Sequence, residues 1–153
     1  MQLTREADYA IRMVLEVASR SADTPTTTAV VAQRRLVPRP MLRKLVPRLV
    51  GAGVLRTRRG ADGGLLLARP AGDITLLAVI DSAQGPIAFN RCVLRPDICA
   101  LQPTCPVHEV CRLARDQIVR LLGDVTFADL TRRQSELRSS GSRLATDGGE
   151  GTA

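Results

Sequence analysis

The stretch Leu36-Val37-Pro38-Arg39 places the tightest constraint on how this chain can fold, because it forces a break between two short helical patterns. The first pattern runs from Ala29 to Arg35, with Thr28 as its N-cap. The second opens with Pro40, a residue suited to the first helical position. In it Met41, Leu42, Leu45, Val46 and Leu49 form an apolar face, while Pro40, Arg43, Lys44, Pro47 and Arg48 form the other. Two short helices joined by a tight turn, the second with a basic outer face, read as a helix-turn-helix. Two features depart from the tidy form of that motif. Pro47 removes a helical hydrogen bond and predicts a bend, and the turn carries no glycine.

The flanking segments complete the motif. Ala7, Ala10, Ile11, Val14, Leu15 and Ala18 fall at helical spacing opposite Arg5, Asp8, Arg12, Glu16 and Arg20, which predicts a first helix over residues 5–20 capped by Thr4. After Gly51-Ala52-Gly53, the segment VLRTRRGADGGLLLARP reads as strand, Gly-rich turn and strand, with Arg56, Arg58 and Arg59 near the tip. A basic hairpin directly after a helix-turn-helix is a wing. The expected fold is mainly α with a small β-hairpin wing.

Charge narrows the partner. The net charge is +7 and the sequence pI near 10.5, a balance that favours polyanions. Only 2% of residues are aromatic, too few for the base-stacking platforms of single-strand binders. Double-stranded DNA is the expected partner, with Arg39, Arg43, Lys44 and Arg48 on the third helix and Arg58 and Arg59 on the wing as contact residues. No apolar run reaches 18 residues, and MQLTREADYAIR lacks a signal-peptide core, so no membrane role and a cytoplasmic location are expected.

All four cysteines and the single histidine lie in RCVLRPDICALQPTCPVHEVCR, residues 91–112. The spacing C-x6-C-x5-C-x2-H-x2-C has no C-x2-C knuckle, which disfavours zinc. From the residues alone, a metal cofactor, reversible thiol chemistry and inert buried cysteines all stay open. Pro96, Pro103 and Pro106 keep the segment irregular. A longer helix is expected from about Val107, with Val107, Val110, Cys111, Ala114, Ile118, Leu121 and Leu122 on one face to pack against its twin in a homodimer. Thr126 caps a last helix to about Leu137, and SSGSRLATDGGEGTA reads as a disordered tail. The expected organisation is a DNA-binding domain over 1–70, a ligand loop and dimerisation helix over 71–135, and a tail over 136–153.

The start MQLTREADYAIR, the wing RRGADGGLLLARPAGDITLLAVI, the cysteine run and VTFADL together resemble the IscR/NsrR type of winged-helix regulator, the Rrf-two superfamily. The resemblance covers residues 1 to about 135. It implies a dimeric transcriptional regulator acting on a pseudo-palindromic operator, controlled by an iron–sulfur cluster that senses redox state, nitric oxide or cluster status. Counting back from VTFADL places Cys92, Cys99 and Cys105 on the family's ligand triad, with a first gap one residue longer than the nearest pattern. For the fourth ligand, His108 matches the IscR-like arrangement on a 2Fe–2S cluster. Asp8 matches the NsrR-like arrangement on a 4Fe–4S cluster. Cys111 departs from both and ranks last. The alternative is a cluster-free regulator of the same fold, controlled by cysteine oxidation or a partner protein. An enzyme is not expected, since there is no nucleotide-binding fingerprint and one histidine lacks a paired acidic cluster.

Overall fold

The computed structural model describes residues 2–60 and 62–146. Within them, in chain order, lie α1 (Arg5–Ala18), α2 (Thr28–Arg35), α3 (Arg39–Gly51), β1 (Leu55–Arg58), β2 (Gly64–Leu67), α4 (Leu76–Gln84), α5 (Arg91–Leu94), α6 (Pro106–Asp124) and α7 (Phe127–Thr146). Single 3-10 turns at Ala71–Asp73, Pro96–Ile98 and Gln102–Thr104 fill the connections. The architecture is the expected one, helical with a single antiparallel hairpin.

Threonines set the starts of α1, α2, α4 and α7. Thr4, Thr27 and Thr75 each take extended backbone, and their hydroxyls accept from the N–H groups of Ala7, Val30 and Ala78. The cap of α2 is thus Thr27, one residue before the expected Thr28. Thr26 is occupied elsewhere: its N–H and carbonyl exchange hydrogen bonds with Leu65, both at 2.9 Å, adding a third extended piece to the hairpin. Gly64 permits that approach, since a Cβ there would sit 2.8 Å from the Thr26 carbonyl oxygen. At α7 the cap is reciprocal, with Thr126 Oγ1 accepting from Asp129 N–H and Asp129 Oδ2 accepting from Thr126 N–H. The Thr126 hydroxyl, donating to Asp129 Oδ2 at 2.6 Å, then the Thr126 N–H and Arg132, hold the Asp129 carboxyl below its ordinary pKa.

The hydrophobic core joins residues on both sides of position 70, from Ala7, Met13 and Val14 through Leu45 and Leu55 to Val79, Ile80 and Phe127. Its centre is α1, which packs on α2, α3, α4, α7 and the wing. That crowding corrects the expected stripe. Met13 and Val17 are buried, Ile11 and Leu15 only half-buried, and Glu16, assigned to the solvent side, is 4% exposed. A helix covered on several sides has no wide solvent face. Pro47 does not end α3, which continues to Gly51.

The junction between α6 and α7 is tied to the start of α4 by Leu76 N–H on the Val125 carbonyl at 2.8 Å and Phe127 N–H on the Ile74 carbonyl at 2.9 Å. This sets the placement of α6. Its expected single apolar face divides: Ile118 and Leu122 pack on the core, while Val107, Val110 and Leu121, with Leu113, stay exposed. The last helix also runs past the expected stop near Leu137 to Thr146, correcting the tail assignment over 136–146. Ser135 and Ser140 donate back to the carbonyls of Thr131 and Glu136, so a serine-rich segment satisfies its hydroxyls inside the helix. Residues 147–153 of the expected tail lie outside the described residues. No helix among the described residues is long and apolar enough to cross a membrane.

The turn between α2 and α3 uses Leu36 where glycine is the unstrained choice. Leu36 takes φ 54° and ψ 42°, with 75% of its surface exposed. Left-handed backbone costs a side-chain-bearing residue about 1–2 kcal/mol, and this side chain has little packing to lose. Leu36→Gly is therefore expected to stabilise the fold by about 0.5–1 kcal/mol, read as a higher urea midpoint. A lower midpoint would show that the leucine side chain is held by contacts.

Candidate nucleic-acid interface and cysteine loop

The basic residues of α3 divide into two groups by helical position. Arg39 and Arg43, four apart, flank a groove completed by Thr28 and Ala29 of α2 and by Leu42, Val46 and Pro47 of α3, enclosing about 470 Å³. Neither arginine forms an ion pair or hydrogen bond among the described residues. Lys44 and Arg48, also four apart, face α1. Lys44 Nζ pairs with Glu6 Oε1, and Arg48 Nη1 donates to Glu6 Oε2 at 2.7 Å and to the Ala83 carbonyl at 2.8 Å. Expected to act as one face, the four cations are thus split into two free and two internally engaged. Sequence reasoning missed Glu6, because its partners lie 38 and 42 positions away.

On the wing, Arg56 Nε donates to the Leu67 carbonyl and Arg58 Nη2 to the Asp62 carbonyl, both at 3.2 Å. These bonds brace the hairpin while leaving both side chains exposed. Arg59 is exposed and without a partner among the described residues. Gly63 makes the turn possible, since a Cβ there would meet the Arg58 carbonyl oxygen at 2.4 Å.

The cysteine loop is a series of single turns. Cys92 lies in α5, Cys99 and Cys105 each follow a 3-10 turn, and His108 and Cys111 lie near the start of α6. All four thiols are free and half-buried. Cys111 Sγ accepts from Asn90 Nδ2 at 3.5 Å. His108 Nε2 is 3.3 Å from Gln102 Nε2, while its Nδ1 is buried without a partner. Between Cys92 and Cys99, Arg95 and Asp97 form a bidentate pair whose hydrogen bonds hold the Asp97 carboxyl below its ordinary pKa. Among the described residues, no three Cys, His, Asp or Glu side chains come together as a metal-holding group. Asp8 is on α1, paired with Arg12 at 2.8 Å. In donor type, the four thiols and the one imidazole, whose Nδ1 is buried without a partner, are of the kind that soft metals and iron–sulfur clusters take.

A family model described as Rrf2, iron-dependent transcriptional regulator, matches residues 3–133. The chain is 30% identical over 137 residues to the HTH-type transcriptional regulator IscR of Xenorhabdus nematophila, covering 90% of this chain and 83% of that one. Among solved structures it is similar to CymR, the global cysteine regulator of B. subtilis, with TM-score 0.74, 25% identity, and coverage of 87% and 98% of the two chains. It shares its fold with IscR of T. potens, with TM-score 0.74 at 23% identity over 90% of each chain.

The hydrogen bond from Lys44, ahead of its Coulomb attraction and the Arg48 contacts, holds the Glu6 carboxyl below its ordinary pKa against some desolvation. The link between α1 and α3 is therefore present above the ordinary glutamate pKa and lost as pH falls through the lowered one. In Lys44→Gln the Glu6 midpoint, followed by carboxyl-carbon NMR, is expected to move up toward the ordinary value. An unmoved midpoint would mean that Lys44 does not hold Glu6 in solution.

Proposed function

The chain belongs to the Rrf2 family of transcriptional regulators, and we propose that it acts as a homodimer on a pseudo-palindromic DNA operator under the control of an iron–sulfur cluster. In this reading two copies of α3 enter successive major grooves. Arg39 and Arg43 supply phosphate contacts and guanine readout, and Arg58 and Arg59 reach the backbone or minor groove from the wing. Lys44 and Arg48 join only when a phosphate takes the place of Glu6. Dimerisation is supported by α6, a 19-residue helix with no fully buried side chain and with Val107, Val110 and Leu121 exposed along it. A second copy of the chain would cover them.

Cys92, Cys99, Cys105 and His108 are the proposed cluster ligands, with Asp8 and Cys111 as less favoured fourth ligands. The observation that carries this assignment is the buried, unpartnered Nδ1 of His108 in the first turn of α6, directly after a segment with three free thiols, Cys92, Cys99 and Cys105. When bound, a 2Fe–2S cluster, or a 4Fe–4S cluster if Asp8 serves, supplies a redox-sensitive centre whose presence orders this loop. The loop's own residues do the rest. Cys105 sits at the N-cap of α6 and His108 one turn in, so holding both fixes the end of the helix that carries the exposed apolar strip. A second reading, regulation by thiol oxidation or a partner protein without a cluster, is favoured by the absence of three converging donors among the described residues.

Two experiments test these readings. Arg59→Ala is expected to weaken binding to duplex DNA and lower the salt slope by about 1, measured by fluorescence anisotropy on an operator selected from a random pool. Unchanged affinity at every salt concentration would remove the wing from the interface. Native mass spectrometry of protein purified without oxygen is expected to find a dimer with one cluster per subunit, lost in Cys99→Ala and in His108→Ala. A 4Fe–4S mass dependent on Asp8 would move the fourth ligand to α1. An apo mass throughout would leave the thiol- or partner-controlled regulator.

A further inference from the structure

We propose that a pocket between α1, α2 and α7 binds a small polyanion of the diphosphate or triphosphate type, at a site separate from the DNA-contacting face. The pocket is lined by Glu16, Ser19, Arg20, Arg34, Arg35 and Arg138 and encloses about 490 Å³, within the roughly 300–1,000 Å³ of small-molecule sites. Four guanidinium groups share this space with one carboxylate, a surplus of three positive charges.

Glu16 accounts for part of the cluster but not all of it. Its carboxylate is nearly fully buried, and Oε2 accepts from Arg35 Nε at 2.7 Å. Arg35 then reaches across to α7, donating from Nη2 to Gln134 Oε1 at 3.1 Å. Arg35 is thus committed to the fold. The other three arginines keep unused donors. Arg20 Nη2 reaches Glu16 Oε1 at 3.3 Å, yet its Nε is buried with no partner. Arg34 lies 3.7 Å from the same oxygen with 66% of its side chain exposed. Arg138 is exposed and unpaired among the described residues. Neutralising one buried carboxylate needs one or two arginines, and further guanidinium groups in the same pocket repel one another unless an anion sits among them.

The chemistry of the lining selects the ligand class. Guanidinium forks match the oxygen geometry of phosphate and leave room for more than one bidentate contact. A diphosphate carries roughly three negative charges near neutral pH, matching the surplus, whereas a monoanion leaves most of it uncompensated. An adjoining cavity that shares Ser19 and Arg20 gives space for an ester substituent on the ligand. The site lies apart from the DNA-contacting arginines. Arg34 and Arg35 end α2, whereas Thr28 and Ala29, which border the Arg39–Arg43 groove, begin it. An eight-residue helix spans about 12 Å, so the two sites lie at opposite ends of α2.

The test is calorimetric titration of the full chain with inorganic pyrophosphate at fixed ionic strength, beside sulfate, using wild type, Arg34→Gln, Arg138→Gln and Arg43→Gln. Arg34 and Arg138 are solvent-exposed, so their variants are expected to melt with wild type. The proposal expects one saturable site per chain, at least tenfold weaker for sulfate and in Arg34→Gln and Arg138→Gln, and unchanged in Arg43→Gln. Duplex DNA affinity should be unchanged in Arg138→Gln. No saturable binding, equal binding of sulfate, or loss in Arg43→Gln would overturn it. So would an Arg138→Gln effect on duplex DNA with pyrophosphate binding unaltered, which would assign these arginines to the DNA backbone. The outcome is independent of whether the cysteine loop holds a cluster.

Discussion

Burial of α1 is the constraint on which the rest of the structure depends. Ala7 and Ala10 present almost no side chain, so neighbouring elements can approach the helix closely, while Met13, Val14 and Val17 fill the space beyond them. α4, α7, the helix-turn-helix and the wing all pack against this helix. Each buried aliphatic side chain contributes about 1.5–3 kcal/mol relative to exposure, so one short helix carries much of the cohesion between the front and back of the molecule.

The same helix organises charge. Its carboxylates each hold basic groups brought in by other elements or by its own next turn: Glu6 holds Lys44 and Arg48, Asp8 holds Arg12, and Glu16 holds Arg20, Arg34 and Arg35. The exposed pairs contribute little to stability, because water and salt screen them. Their importance lies in sorting. A strongly basic chain is divided into cations engaged by α1 and cations left for external anions, and on the helix-turn-helix face the second group is Arg39 and Arg43. Glu16 differs because it is buried. Removing its close, buried partner Arg35 would leave that charge poorly compensated in the interior at a cost of about 3–5 kcal/mol, which makes Arg35 a structural residue although it belongs to a helix with a basic surface.

The cysteine loop stands outside this framework. It is held by local turns, by Arg115 Nε donating to the Ile87 carbonyl at 2.9 Å, and by half-buried thiols, with none of the deep packing that secures α1. A segment with few buried contacts opens at low cost, which suits a loop that gains or loses order with a ligand. In the proposed reading, its attachment to α6 would carry such a change to the exposed apolar strip.

The amino-acid sequence alone determined the features that depend on near neighbours. Apolar spacing located α1, α3 and α6; Thr4 and Thr126 marked helix starts; Gly63 and Gly64 marked the turn of the wing; and the concentration of Cys and His marked the loop. Sequence reasoning placed the cap of α2 one residue late because the backbone of Thr26 is engaged by Leu65, a partner distant in the chain. Tertiary structure alone decided that Glu16 is buried, that Lys44 and Arg48 turn toward Glu6, that Arg138 joins Arg20 and Arg34 in one pocket, and that the apolar face of α6 divides. The physical reason is common to all four. Helical periodicity reports which residues lie three or four apart on one surface, whereas pairing across 38 to 99 positions is set by how finished helices pack.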